Sequence, residues 1–117
     1  MLTISRNQWQ LMEERFAGVA AKRVAGHLRE NYAEACEQLT AVQLQHLADS
    51  SVREALASGF CAYRDYCAYA SLSLLDPGFE QRPSVQMLLR EAPAPDDSRM
   101  SRILFVLQMA ATAQAAP

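Results

Sequence analysis

The sequence predicts an all-α fold, a single-domain helical bundle with four main helices and one short helix over residues 1–117. The length of 117 residues and the 50% hydrophobic content suit one domain with its own core. Apolar residues recur at steps of three and four, the spacing of a helix face. No run alternates with a period of two, so we predict no sheet. We expect residues 1–4 and 114–117 to be frayed.

The first predicted helix begins after Ser5, a residue suited to an N-cap, and continues to about Tyr32. Gly18 and Gly26 fall inside it and predict either close packing or a bend. Charged residues occupy the side opposite its apolar positions. The apolar positions, predicted to face the core, are Trp9, Met12, Phe16, Val19, Ala20, Val24 and Leu28.

The second predicted helix covers about Ala41 to Ser58, with Thr40 as its N-cap. Gly59 follows its end, where a left-handed residue is favoured. Leu44, Leu47, Ala48, Ala55 and Leu56 supply its apolar side. Ser51-Val52-Arg53-Glu54 also fits a capping box, so two short helices with a joint near 49–51 are an alternative. We favour one helix.

The third predicted helix spans about Ala62 to Leu75 and ends at Pro77-Gly78. Between Asp65 and Asp76 the sequence carries no charge. Because a helix that is apolar on most sides is normally buried, this one belongs in the middle of the bundle.

A short helix is predicted from Pro83 to about Arg90, followed by an extended connector over 91–97. Ser98 is placed to cap a last helix that ends near Ala113. This helix carries no charge after Arg102. It therefore either packs in the core or offers a surface to a partner. Its apolar stripe consists of Met100, Ile103, Leu104, Leu107, Ala110 and Ala111.

The composition argues against several functional classes. A net charge of −2 gives no reason to expect a nucleic-acid partner. No apolar run approaches the ~20 residues of a membrane span, and the N-terminus lacks the apolar core of a signal peptide. Three cysteines without a C-x-x-C pattern fit free, buried thiols in a reducing cytoplasm. We expect no enzyme activity, no metal and no cofactor, because His27 and His46 lack partners at ligand spacing.

The third helix holds the most distinctive polar and aromatic residues. Tyr63, Tyr66 and Tyr69 recur at a spacing of three, which suits either the edge of the core or a protein interface. Asp65 is placed in the first turn, where a carboxylate is favoured. Arg64 is expected to pair with an acid on a neighbouring helix, or to bind a partner.

Several short motifs, in order, resemble small bacterial proteins encoded beside type VI secretion effectors. A long amphipathic helix ends in His27-Leu28-Arg29-Glu30-Asn31-Tyr32, and Ser58-Gly59-Phe60 precedes Arg64-Asp65. Tyr69 and Phe79 follow at matching positions, so the similarity covers about residues 1–90. The turn Cys61-Ala62-Tyr63 departs from the family, which usually has Thr-Ser-Glu there, and we expect a weaker helix cap as a result.

The resemblance implies a cytoplasmic, co-chaperone-like protein that associates with an effector adaptor chaperone, the secreted effector, or both. It implies no catalytic residues. The expected partner-binding residues are Tyr63, Arg64, Tyr66, Tyr69 and Phe79. An alternative function is an immunity protein that neutralises a neighbouring toxin, since acidic helical proteins associate rapidly with basic toxins. The oligomeric state stays open at this point.

Overall fold

A computed structural model describes residues 6–91 and 98–115 and confirms the all-α prediction. Within these residues the regular elements are helices, and no strand is present. The elements, in chain order, are α1 (Arg6–Asn31), α2 (Ala33–Cys36), α3 (Ala41–Ala57), α4 (Tyr63–Leu75), a 3₁₀ turn (Phe79–Gln81), α5 (Pro83–Leu89) and α6 (Arg99–Ala115).

The five predicted helices are therefore confirmed, and the structure adds the one-turn helix α2 and the 3₁₀ turn. The last helix continues to Ala115, two residues beyond its predicted end. The predicted Ser5 cap, residues 1–4 and 116–117 of the ends predicted to fray, and most of the predicted connector, at 92–97, lie outside the described residues. Residues 114 and 115, also predicted to fray, belong to the last helix.

Local signals define both ends of α3. The Thr40 hydroxyl accepts a hydrogen bond from the Gln43 amide at 3.1 Å, and the Thr40 amide donates to Gln43 Oε1 at 2.9 Å. This pair is a capping box, and α3 continues unbroken past Ser51, so the two-helix alternative is wrong.

At its C-terminus, α3 ends in a Schellman motif centred on Gly59. Gly59 has a φ of 90°, as the predicted left-handed cap requires. The Gly59 amide donates to the Leu56 carbonyl, and the Phe60 amide donates to the Ala55 carbonyl, both at 3.0 Å. Phe60 and Ala55 are also both buried, so the turn carries Phe60 into the core.

Helices α1, α3 and α4 pack on one another and form the centre of the bundle, while α5 pairs with α6 and α6 reaches α4. As predicted, α4 is buried along most of its length. Its N-cap, Ala62, makes no side-chain capping bond, which agrees with the weak cap expected from the Cys61-Ala62-Tyr63 turn.

The buried face of α1 matches the predicted one in part. Ala20, Val24 and Leu28 are buried as predicted, and the side chains of Trp9 and Met12 lie outside those that the structure describes. The buried face consists largely of small residues: Ala17, Ala20, Ala21, Val24, Ala25 and Leu28. Phe16 and Val19, predicted to face the core, are 53% and 63% exposed. Alanines allow helix backbones to approach closely, so the alanine side of α1 faces the bundle and rotates the larger residues outward.

Gly18 and Gly26 do not mark close packing. A Cβ atom added at either position would meet no atom within 4 Å, and α1 runs continuously through both. The two glycines are interior helix positions with open space around them.

Candidate partner-binding surface

The predicted partner-binding residues divide into two groups. Tyr63 and Arg64 lie on the surface, at the start of α4. Tyr66, Tyr69 and Phe79 are in the core, with exposed fractions of 2% or less. Of the three tyrosines that recur at a spacing of three, Tyr63 is exposed and Tyr66 and Tyr69 are buried. Only the Tyr63 ring is accessible to a partner.

The buried aromatics have structural partners inside the chain. The Tyr66 hydroxyl donates to the Phe60 carbonyl at 3.3 Å. The Tyr69 hydroxyl donates to Glu54 Oε2 at 3.0 Å, and its ring meets Phe79 edge-on with centroids 5.0 Å apart. These contacts hold the end of α3, the 3₁₀ turn and α4 together.

Tyr63 is 36% exposed and lies under a cation from α1. The Arg23 guanidinium carbon is 4.5 Å from the centroid of the Tyr63 ring. A cation–π contact at an exposed site contributes about 0.5–1 kcal/mol. The pair fixes the ring at the seam between α1 and α4, where one edge stays open to solvent.

Tyr63 is also close enough to Cys67, one helical turn further on, for the two groups to influence each other. Burial, followed by the interaction with Cys67, raises the pKa of the Tyr63 phenol above its ordinary value. Burial likewise raises the pKa of the Cys67 thiol. Both groups therefore stay neutral near pH 7, and neither is poised for proton transfer or nucleophilic attack.

The side chain of Arg64 is 80% exposed, and its Nε lies 3.9 Å from Oδ1 of Asp65. The expected ion pair with an acid on a neighbouring helix is wrong, because the acid is the next residue of the same helix. Asp65 lies in the first turn of α4, as predicted, and its side chain is buried. Because the carboxylate nearest to Arg64 belongs to the next residue of the same helix, the Arg64 side chain does not cross to another helix and stays largely in solvent.

Phe16 and Val19 are further exposed apolar residues of α1, although the sequence pattern predicted both to face the core. Phe16 contacts the edge of the Tyr66 ring, with centroids 6.3 Å apart, so it borders α4. Val19 is three residues from Phe16 and four from Arg23, and thus lies on the same side of α1. We call Phe16, Val19, Arg23, Tyr63 and Arg64 together the α1–α4 surface. No feature of the sequence distinguishes Phe16 and Val19 from the α1 residues that face the core.

Arg99 is a further residue whose environment the sequence did not predict. It is 1% exposed, although it is charged. Its guanidinium lies 4.3 Å from the Phe60 ring centroid and donates to the carbonyls of Leu89 and Glu91 at 3.3 and 3.0 Å. Arg99 lies four residues before the buried Ile103, on the same side of α6, and this spacing could have predicted that Arg99 faces the core.

The three cysteines are free thiols. Cys67 is buried and Cys36 is half-buried, but Cys61 is exposed, so the prediction of buried thiols is wrong for Cys61. Cys61 precedes the N-cap of α4 on the surface turn, which leaves its side chain outside the bundle. Among residues 6–91 and 98–115, no cluster of three or more His, Cys, Asp or Glu side chains is placed to hold a metal ion.

A shallow open groove of about 440 Å³ lies beside Tyr69, away from the α1–α4 surface. Burial, together with Glu54 and Glu80, raises the pKa of the Tyr69 phenol far above its ordinary value. The phenol is therefore a hydrogen-bond donor at any physiological pH. The groove is lined by Glu54, Ala57, Ser58, Tyr69, Glu80, Gln81, Gln86, Leu89 and Arg90.

No protein-family model matches this chain, and no curated protein or solved structure matches it either. In the part of the chain that the structure describes, no helix is long and apolar enough to cross a membrane.

Proposed function

We propose that this chain is a protein-binding accessory of type VI secretion, a co-chaperone-like protein that associates in the bacterial cytoplasm with an effector adaptor chaperone, the effector, or both. The observation that carries the binding role is the α1–α4 surface, where three apolar or aromatic side chains, Phe16, Val19 and Tyr63, are exposed. Exposed apolar groups with a polar rim are typical of protein interaction sites.

The composition of this surface supports a protein partner. Aromatic residues and arginine are enriched at protein interfaces and among the residues that carry most of the binding energy. Tyr63 and Arg23 are such a pair, and their stacking already restricts both side chains. A partner that covers them loses less conformational entropy than one that must order two free side chains.

The link to type VI secretion rests on the motif resemblance. Gly59, Phe60 and Phe79 shape the turns around α4, so these landmarks have structural reasons to recur in similar proteins. Tyr63, the first residue of α4, belongs to the segment 61–63 where the sequence departs from the family it resembles. If similar proteins keep the same turns but differ at the position of Tyr63, each would bind the partner encoded in its own gene cluster.

Co-purification tests the proposal. The full chain, tagged and expressed with the adaptor chaperone and the effector encoded beside it, should retain at least one of them at micromolar concentration. Tyr63→Ala should weaken that association, while Val42→Asp, at an exposed position on α3, should leave it unchanged.

Two results would overturn the proposal. One is the failure of both neighbours to associate with the correctly folded chain. The other is rescue of growth when the chain is co-expressed with a neighbouring toxin that it binds directly, since that result identifies the alternative immunity function.

A further inference from the structure

Val19 is an exposed apolar residue surrounded by cations. On a helix, the side-chain neighbours of a residue are those three and four positions away. For Val19 these are Arg15, Phe16, Lys22 and Arg23. Three of the four neighbours are basic, the fourth is a half-exposed aromatic ring, and none is acidic.

The charges of this rim are available to a partner. Arg15 and Lys22 are exposed and form no ion pair within residues 6–91 and 98–115. Across the seam, Arg64 is 80% exposed, and its Nε lies no closer than 3.9 Å to Asp65. Glu30, which lies two turns beyond Arg23 on α1, is an acidic residue whose charge acts on the Tyr63 phenol.

This local charge is opposite in sign to that of the whole chain. Four basic residues border the apolar centre, whereas the chain as a whole has a net charge of −2. Interfaces usually join surfaces of opposite potential, and such complementarity mainly sets specificity and association rate. A basic rim around an apolar centre therefore selects a partner surface with apolar side chains flanked by carboxylates.

We propose that the α1–α4 surface binds an acidic amphipathic segment of a partner protein. The apolar side chains of the segment contact Phe16, Val19 and Tyr63. Its carboxylates pair with the rim formed by Arg15, Lys22 and Arg64. This inference rests on the proposed function only for the identity of the partner, not for the chemistry of the segment.

A protein segment fits this surface better than other anions. Nucleic-acid-binding domains usually carry a net positive charge and a broad basic face, whereas the isoelectric point of this chain is 5.6. Binding in a membrane interface needs a long apolar helix face with a polar face opposite. The face of α1 opposite the α1–α4 surface is buried in the bundle instead.

Two synthetic helical peptides test the chemistry directly. Both carry leucines at positions i, i+3, i+4 and i+7; glutamates fill the other positions of one, and lysines fill those of the other. By fluorescence anisotropy, the full chain should bind the acidic peptide at least about tenfold more tightly than the basic one. The preference should shrink as salt is raised, because exposed charges are screened.

Matched variants locate the binding site. Val19→Asp and Lys22→Glu should each weaken binding of the acidic peptide at least about fivefold. Val42→Asp and Arg53→Glu make the same changes in net charge at exposed positions of α3 and should leave affinity unchanged. Helical circular dichroism of each variant confirms that the bundle is intact.

The proposal is overturned if the chain shows no preference for the acidic peptide, or if the α3 variants weaken binding as much as the α1 variants. It is also overturned if anionic phospholipid vesicles or a single-stranded oligonucleotide bind the same surface more tightly than the acidic peptide.

The two proposals fail separately. Peptide binding at Val19 without co-purification of the encoded neighbours would leave the acidic-segment site standing and remove the secretion role. Co-purification of the encoded neighbours that is unaffected by Val19→Asp and Lys22→Glu would support the secretion role and remove the acidic-segment site.

Discussion

The guanidinium of Arg99 lies 4.3 Å from the centroid of the Phe60 ring, so the first turn of α6 is fastened to the turn that ends α3. The same guanidinium donates to the carbonyls of Leu89 and Glu91 at the end of α5. One buried charge therefore joins the first turn of α6 to the end of α5 and to the turn that ends α3.

Arg99→Ala should destabilise the protein by about 2–4 kcal/mol, because it removes a buried, packed side chain and takes its donor from the carbonyls of Leu89 and Glu91. Chemical denaturation monitored by circular dichroism measures the change. Arg53→Ala, at an exposed position of α3, should shift the free energy of unfolding by no more than about 0.5 kcal/mol. Equal effects of the two variants would contradict the role assigned to Arg99.

Glycine-to-alanine substitutions should stabilise the protein at two positions inside α1 and destabilise it at Gly78. Gly18→Ala and Gly26→Ala should each stabilise the protein by about 0.4–1 kcal/mol, since both lie inside α1 with open space around them. Gly78→Ala also has open space, but its φ of 84° should make it destabilising by about 1–2 kcal/mol.

Thermal unfolding of the three variants is the measurement. If Gly78→Ala stabilised the protein as much as Gly18→Ala, the left-handed turn that precedes the 3₁₀ turn would be refuted.

Stability should fall as pH rises above about 10. The ordinary tyrosine pKa is 10.0, and the pKa of Tyr69 is raised in the folded state. Above pH 10 the unfolded chain therefore loses a proton that the folded chain retains, which favours unfolding by up to about 1.4 kcal/mol per pH unit for each such group. Below that range the contribution is fully present.

Tyr69→Phe should make this alkaline decline shallower, while costing about 1 kcal/mol at pH 7 through loss of the hydrogen bond to Glu54. Urea denaturation at a series of pH values measures both effects. Because burial also raises the pKa of Tyr66 and Tyr63, part of the decline should persist in the variant. An unchanged slope would show that Tyr69 ionises as easily in the folded state as in the unfolded state.

Tyr63 and Tyr66 should respond differently to truncation. Tyr66→Ala should destabilise the protein by about 3–5 kcal/mol, as expected for a large buried aromatic residue. Tyr63→Ala should cost about 1 kcal/mol or less, because the ring is partly exposed and loses mainly its contact with Arg23. If Tyr63→Ala destabilised the fold severely, Tyr63 would be a core residue and not part of a binding surface.

The cysteines should differ in reactivity with a maleimide. Cys61 is exposed and should be labelled rapidly in the folded protein, whereas Cys67 should react only on unfolding, since burial protects its thiol and raises its pKa. Mass spectrometry after brief labelling of the wild type and of Cys61→Ser measures the difference. Rapid labelling of the folded Cys61→Ser variant at Cys67 would contradict the packing of α4.

The elements of this fold were predictable because their signals are local. Thr40 with Gln43 specifies the start of α3, and Gly59 specifies its end through a conformation that other residues resist. The missed elements, α2 and the 3₁₀ turn, are one turn or less in length and are too short to show a periodic pattern.

The candidate surface was only partly predictable. The sequence pointed to Tyr63 and Arg64 but grouped them with Tyr66, Tyr69 and Phe79, which the structure places in the core. Spacing alone does not separate these residues, because neighbours three apart on a helix can face either a partner helix or solvent. The packing of α3 and the 3₁₀ turn against one side of α4 decides which.

By itself, then, the sequence determined where the helices begin and end, since caps, glycines and prolines act within a few residues of themselves. Only the tertiary structure decided which side of α1 is buried. Two apolar sides compete there, one rich in alanine and one with Phe16 and Val19, and the alanine side wins because it lets α3 and α4 approach closely. That choice leaves Val19 among its cations on the surface.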